Sequence, residues 1–302
     1  MQSIQFAEYG GADRLGLVEV PIPEPGPGQV RVAVRCAGVN PIDWKQRSGA
    51  MADVAPLDLP HTPGVELSGI VDAIGEGVEF RIGHEVFGWS DSGSYAEYAL
   101  ATTVVTKPED LSWRDAATLP VAGEAALRVL RLGAGAGQTL LIHGASGGVG
   151  SLATQLAVDQ GATVLGVASK DSAEYVRSLG ATPVIYGEGL VDQVREIAPN
   201  GVDAVFDAAG RGALPDSVTL RGGSTDRIVT IADPAAQEIG IPFDSGDPAD
   251  HSNDTLTRLA DMVVAGKLRI KHATNLPLSY AAQAQRLSET GHSGGKITLD
   301  VN

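Results

Sequence analysis

Two hydrophobic periods divide this chain. Over the first 120 residues, apolar and polar positions alternate in short runs at 3–6, 17–20, 29–39, 65–74, 85–89 and 95–105. Such alternation predicts strands with one buried face, and glycines and prolines punctuate the runs. The density of short strands predicts a β-rich domain folded as a partly closed barrel. From residue 121 the period becomes helical. Val121, Ala122, Ala125, Ala126, Val129 and Leu130 form a stripe that ends near Gly133. Apolar runs at 139–143, 163–168, 183–186, 202–208 and 228–232 then alternate with helical stripes such as Ala173, Val176 and Leu179. Strands and helices alternating through short connections predict an α/β domain on a doubly wound parallel sheet. A polar stretch at 244–254 reads as a loop near a domain boundary. Leu256, Leu259, Met262 and Val263 mark one more helix, and the run at 296–301 is a last strand returning to the first domain. The expected organisation is 1–121 with 248–302 as one domain and 122–247 as the other.

The stretch 139–170 carries the clearest chemistry. A buried strand runs into Gly144-Ala145-Ser146-Gly147-Gly148-Val149-Gly150. Val149, Leu152, Ala153, Leu156 and Ala157 follow at helical spacing, and Gly161 sits at the helix end. Four glycines in seven residues are costly unless the backbone must approach something closely. Between a strand and a helix, such a loop offers free amides and the positive helix end to a pyrophosphate. Ser146, Gly147, Gly148 and Val149 are therefore candidate dinucleotide ligands. The end of the second strand decides which dinucleotide. NAD sites place a carboxylate there for the ribose 2′-hydroxyl. This chain has Ser169 and Lys170, a hydroxyl and an ammonium suited to a 2′-phosphate, so NADP(H) is expected. Asp171 suits the N-cap of the next helix.

Composition narrows the classes. The chain has 302 residues, 43% of them hydrophobic, enough for an ordinary globular core. A net charge of −15 argues against nucleic acid or an anionic membrane surface as partner. The single cysteine, Cys36, lies in a strand pattern and reads as a small buried hydrophobe. The first residues show no signal-peptide pattern and no apolar run is long enough to span a membrane, so a cytoplasmic protein is expected.

Several motifs then carry a resemblance. They are Gly38-Val39-Asn40-Pro41-Ile42-Asp43, Pro63-Gly64-Val65-Glu66-Leu67-Ser68-Gly69, Leu119-Pro120-Val121-Ala122-Gly123, the glycine loop, Asp203-Ala204-Val205-Phe206-Asp207 and Gly294-Gly295-Lys296-Ile297. Spread over nearly the whole chain, they resemble the medium-chain dehydrogenase/reductase superfamily, and within it the zinc-independent quinone oxidoreductase (zeta-crystallin-like) group. The resemblance implies a GroES-like barrel domain beside a Rossmann domain, NADPH as cofactor and a homodimer. Zinc enzymes of the superfamily carry cysteine where this chain has Asn40 and histidine where it has Val65. Valine cannot ligate zinc and asparagine is a poor ligand, so no metal is expected. Without a Lewis acid, hydride transfer to an electron-poor acceptor, a quinone or an enone, is the expected reaction. A zinc-free alcohol dehydrogenase and a non-catalytic NADPH-binding sensor or scaffold are the alternatives.

The resemblance also nominates site residues. Asn40 would bond a substrate carbonyl or the nicotinamide carboxamide, or else cap the turn before Pro41. Asp43 is a candidate at the catalytic centre, or else an N-cap or a fold-stabilising partner for Arg47. Lys45 stands where relatives often carry tyrosine as a substrate donor, and Ala125 where they carry threonine. Tyr186 would flank the 2′-phosphate. Ala208, Ala209 and Ile231 sit at the carboxyl ends of strands, where open sheets bind ligands. Gly294 and Lys296 would line the cofactor cleft, unless Lys296 is a solvated edge charge.

Overall fold

The computed structural model describes residues 1–246 and 250–301. It divides into two compact units: Met1–Val121 with His251–Gly266 and His272–Asn302, and Ala122–Asp250 with Lys267–Lys271. The expected boundary between 247 and 248 lies outside the described residues.

The first unit opens with a hairpin of β1 (Gln2–Gln5) and β2 (Gly16–Glu19). Its long strand is β3 (Val30–Val39), whose alternating buried positions match the sequence pattern. A short helix α1 (Pro41–Ser48) follows, then β4 (Glu66–Ile74) and β5 (Glu85–Trp89). The run at 95–105, expected as one strand, breaks into β6 (Tyr98–Ala101) and β7 (Val104–Thr106). The break lets β6 pair with β3 while β7 pairs with β5, which is how the sheet curls. The short helix α2 (Trp113–Ala116) precedes α3 (Leu119–Leu127), which carries the chain across the division between units.

The second unit repeats strand and helix. In order they are β8 (Thr139–His143), α4 (Gly148–Asp159), β9 (Thr163–Ala168), α5 (Ala173–Ser178) and β10 (Thr182–Ile185). Then come α6 (Leu190–Ile197), β11 (Ala204–Asp207), α7 (Leu214–Leu220) and β12 (Ile228–Thr230). All five strands are parallel, in the order β10-β9-β8-β11-β12. The reversal at β8 places a switch point beside the glycine loop. Leu141, Leu165, Val184 and Val205 are fully buried in this unit's core, as expected of strands covered on both faces.

The chain returns through α8 (Asn253–Val264), β13 (His272–Pro277), α9 (Ala281–Glu289) and β14 (Lys296–Asp300). β14 pairs antiparallel with β3 and parallel with β13, so the main sheet reads β13-β14-β3-β4-β5-β7. The fold is thus a Rossmann-like parallel sheet and a separate, mainly antiparallel GroES-like sheet. The sequence pattern passed over β13 and α9. β13 is only half buried and has little apolar alternation, while α9 buries only the small Ala281 and Ala284 and the polar Gln285. Five returning residues, 267–271, pack with the second unit. There the Gln155 amide on α4 brackets Arg269, donating to its carbonyl (3.0 Å) and accepting from its N–H (2.8 Å).

Candidate functional site

The glycine loop lies between β8 and α4. Gly144 has φ of +75°, a turn that side chains resist. The N-cap of α4 is Gly147, so no side chain satisfies the first helical amides. Those amides have no partner within the helix and remain available to an anion. Gly150 is required for packing: a Cβ there would clash with the Gly144 carbonyl oxygen. Ser146, Gly147, Gly148 and Val149 are all partly exposed on this edge.

The neighbouring strand ends complete the edge. Register pairs Ile185 with Ala168, so Ser169 and Tyr186 leave adjacent strands side by side. Ser169 donates a 3.2 Å hydrogen bond to the Ser172 hydroxyl. Lys170 is exposed, and Tyr186 is 60% exposed rather than packed against the sheet. Asp171 lies inside a single 3₁₀ turn, Lys170–Ser172, and Ser172 takes the N-cap of α5 in its place. No carboxylate ends β9. After β11, Asp207 is fully buried and turns its carboxylate onto its own loop. It accepts from the Thr230 hydroxyl (2.7 Å) and from the Ala209 and Gly210 amides (2.9 and 3.1 Å). That holds Ala208 and Ala209 beside Gly144, whose Cβ, if present, would press on both at 3.3 Å. Ile231 donates to the Asp207 carbonyl at 2.9 Å and is half buried. A dinucleotide would fit these residues: the uncapped amides could receive a pyrophosphate, and the carboxyl edge offers hydroxyls and an ammonium.

A second polar cluster is buried in the first unit. Asn40 ends β3 and forms the N-cap of α1, with Pro41 at the first helical position. A capping box with Asp43 closes this end of the helix, and the Asn40 side chain also reaches into the sheet. It donates from Nδ2 to Glu66 Oε1 at 2.7 Å and accepts at Oδ1 from Lys296 Nζ. Lys296 also donates to Glu66 Oε1 at 3.0 Å, and Glu66 Oε2 takes the Val121 amide at 2.8 Å. All three side chains are buried. The solvated-edge alternative for Lys296 therefore fails, because β14 lies inside the sheet between β13 and β3. Gly38 makes room for the cluster, since a Cβ there would overlap the Glu66 carboxylate.

Asp43, one turn into α1, accepts from the Asn40 amide and from the Tyr95 hydroxyl, both at 2.8 Å. Of the two structural roles offered from sequence, the cap at the start of α1 forms and the pairing with Arg47 does not. Both residues sit on the same helix, but Arg47 points to α9 and the N-terminal segment. Arg47 donates to Gln285 at 2.7 Å, to Glu289 and to the Gly10 carbonyl. Complete burial pushes the Asp43 carboxyl up to about 7, against the opposing hydrogen bonds from Asn40 and Tyr95. Burial, then Asp43 itself, drives the Tyr95 phenol well above its usual range.

Other nominated residues fall outside both clusters. Lys45 is half exposed on α1, its ammonium 5.9 Å from the Trp44 ring centre. Gly294 is exposed at φ +75° before β14. Glu124, beside Ala125, forms a buried pair with Arg128, the first residue of the 3₁₀ helix that follows α3, and Arg128 continues to the Asp244 carbonyl at 2.9 Å. His143 is a satisfied core residue, 3.0 Å from the Ser217 hydroxyl, and burial lowers its affinity for a proton. Cys36 is buried and free, its thiol pushed up to about 12 by burial. Sequence reasoning missed Glu66 and Tyr95 as members of the polar cluster. A glutamate inside the apolar run at 65–74 was the one available signal. Among the described residues, no group of three or more His, Cys, Asp or Glu side chains could hold a metal ion. No helix among them is long and apolar enough to cross a membrane.

Comparison with known proteins places this geometry. The alcohol dehydrogenase GroES-like domain family matches residues 26–109, and the zinc-binding dehydrogenase family matches 148–244. A quinone oxidoreductase from Lama guanicoe is 33% identical, over 99% of this chain and 97% of its own. The structure of the quinone oxidoreductase from Coxiella burnetii superposes with a TM-score of 0.87 at 33% identity, covering 100% of this chain and 99% of that one. A mycobacterial protein solved in complex with NADPH gives a TM-score of 0.84 at 26% identity, with both chains covered in full. The chain belongs to the medium-chain dehydrogenase/reductase superfamily of oxidoreductases and, within it, to the quinone oxidoreductase group.

Proposed function

We propose that this chain is an NADPH-dependent reductase that delivers hydride to quinones or α,β-unsaturated carbonyls without zinc. When bound, the nicotinamide supplies the hydride; the protein supplies binding, orientation and hydrogen bonds. Ser146, Gly147, Gly148 and Val149 would hold the pyrophosphate. Ser169, Lys170 and Tyr186 would hold the 2′-phosphate, a reading supported by the exposed ammonium and the lack of a carboxylate at the end of β9. Ala208, Ala209 and Ile231 leave the switch point narrow and apolar. NADPH in the mycobacterial relative agrees with this choice.

The observation that carries the reaction is the fixed amide of Asn40. A carboxylate can only accept, and it faces Nδ2; an ammonium can only donate, and it faces Oδ1. The amide therefore cannot flip, and its second N–H is a donor for a carbonyl oxygen that gains negative charge. The lysine ammonium also supplies the positive charge that balances Glu66, so this cluster is satisfied without a metal. Lys45, half exposed on α1, would meet the acceptor as a charged donor. Solvent supplies the proton. The group's quinone-reducing relatives support a quinone-type acceptor. A cytoplasmic homodimer, paired through the edge of the parallel sheet, completes the proposal.

Stopped-flow loss of NADPH absorbance against a panel of quinones and enones tests it, and no oxidation with any member sinks it. Lys170→Glu should cost NADPH far more affinity than NADH; equal losses would contradict the 2′-phosphate assignment.

A further inference from the structure

Lys271 is a cation that the reading above leaves unused. It lies on the short segment 267–271, which packs with the second unit although the chain on either side belongs to the first. The bracket between Gln155 and Arg269 fixes that segment against the middle of α4. Two residues on, the Lys271 ammonium stands at the glycine loop. Its Nζ lies 3.4 Å from the Ser146 carbonyl oxygen and 4.3 Å from the Tyr175 ring centre. The Tyr175 hydroxyl in turn reaches Ser151, in the first turn of α4.

The electrostatics of this position are unusual. The chain carries 37 acidic and 22 basic residues, yet no carboxylate among the described residues forms an ion pair with Lys271. A carbonyl and a ring face are weak partners for a partly buried ammonium, which has three N–H groups to satisfy. Burial alone shifts its proton affinity, downward, with no neighbouring anion to offset it. A partly desolvated cation beside a ring of free amides is complete once an anion arrives there.

We propose that Lys271 is a further phosphate ligand of the bound dinucleotide, clamped over the glycine loop by Tyr175 and the Gln155 bracket. This rests on the dinucleotide reading of the loop. The ligand chemistry is a phosphate oxygen, which the pyrophosphate or the 2′-phosphate can supply, and comparing NADPH with NADH tells them apart.

Binding of each nucleotide to the purified full chain, followed by nicotinamide fluorescence, provides the test. Lys271→Gln should weaken NADPH about tenfold or more, the loss expected for one charge-assisted hydrogen bond. Equal weakening of NADH assigns the pyrophosphate; weakening of NADPH alone assigns the 2′-phosphate. Lys271→Arg should restore most of the affinity, because it keeps the charge. Unchanged binding of both nucleotides to Lys271→Gln, at an unaltered melting temperature, overturns the proposal. So does an arginine variant as weak as the glutamine variant, since the effect would then be one of shape. If the unsubstituted protein binds neither nucleotide, it is the dinucleotide reading itself that fails.

Discussion

The glycine edge of the second unit and the polar cluster of the first handle charge by different means. At the edge, the groups offered to an anion are main-chain amides, lined by small residues and open to solvent. In the cluster, Asn40, Asp43, Glu66, Tyr95 and Lys296 are buried and bonded to one another, with Asp43 Oδ1 left without a partner. The edge is assembled from neighbours in sequence. The cluster joins residues as much as 256 positions apart. Backbone donors tolerate many side chains provided the glycines stay. A buried charge tolerates almost no change, because each member left without its partner keeps the full cost of desolvation.

The largest expected effect is in the cluster. Lys296→Met strands the Glu66 carboxylate and should cost about 3–5 kcal/mol in urea unfolding. Pairing it with Glu66→Gln should recover most of that loss, since no unpaired charge then remains. If the double variant is no more stable than the single one, the ion pair is not what the cluster depends on. At the edge, Gly150→Ala forces a methyl group against the Gly144 carbonyl and should cost about 1–3 kcal/mol, while weakening nucleotide binding. A thermal melt and a binding titration together check this.

The pH dependence sharpens the contrast. Burial raises Asp43 from its ordinary 3.8 to about 7 in the folded state. The folded chain therefore holds a proton that the unfolded chain releases between those values. The resulting stability is full below about pH 4 and declines as pH rises to about 7, by roughly 1.4 kcal/mol per pH unit. Glu66 adds to the upward push, while Lys296, Tyr95 and the Asn40 amide oppose it. Asp43→Asn cannot ionise, so the stability difference between it and the unsubstituted chain should change over this window and nowhere else. A difference independent of pH would show that Asp43 stays ionised throughout. Smallest is Tyr95→Phe, at about 1 kcal/mol for one hydrogen bond. Because that bond lowers the Asp43 value, its loss should move the pH window upward, which denaturation midpoints across pH would register.

This contrast explains what could be read from the chain alone. The parallel sheet was legible because each of its strands is a continuous apolar run closed by glycine or a loop. The glycine loop was legible because its function needs particular residues at adjacent positions. Ser169 and Lys170 could be nominated from it by counting to the end of the next strand, and Tyr186 only through the resemblance; register does set Ser169 and Tyr186 side by side. Asn40 could be nominated, but not its orientation, which depends on Glu66 and Lys296 reaching it from β4 and β14. For Asp43 the capping alternative was legible from its place at the start of α1, whereas the Arg47 alternative failed because tertiary packing supplied Tyr95. Lys271 gave no signal at all. Its place depends on a five-residue detour that no local period records.

The strand β14 carries one more consequence, for the order of assembly. The second unit is almost continuous in the chain, and all five of its strands have been made by residue 230. The first unit cannot close until β14 pairs with β3 and Arg47 meets Gln285 and Glu289 on α9. During synthesis the later segment can therefore complete its sheet before the earlier one, while β3, already paired with β4 and with β6 at residues 30–33, lacks a partner for residues 36–39. Even a short unpaired strand edge of this kind invites pairing with other chains. The interval between making β3 and making β14 is thus one in which that edge is exposed to aggregation.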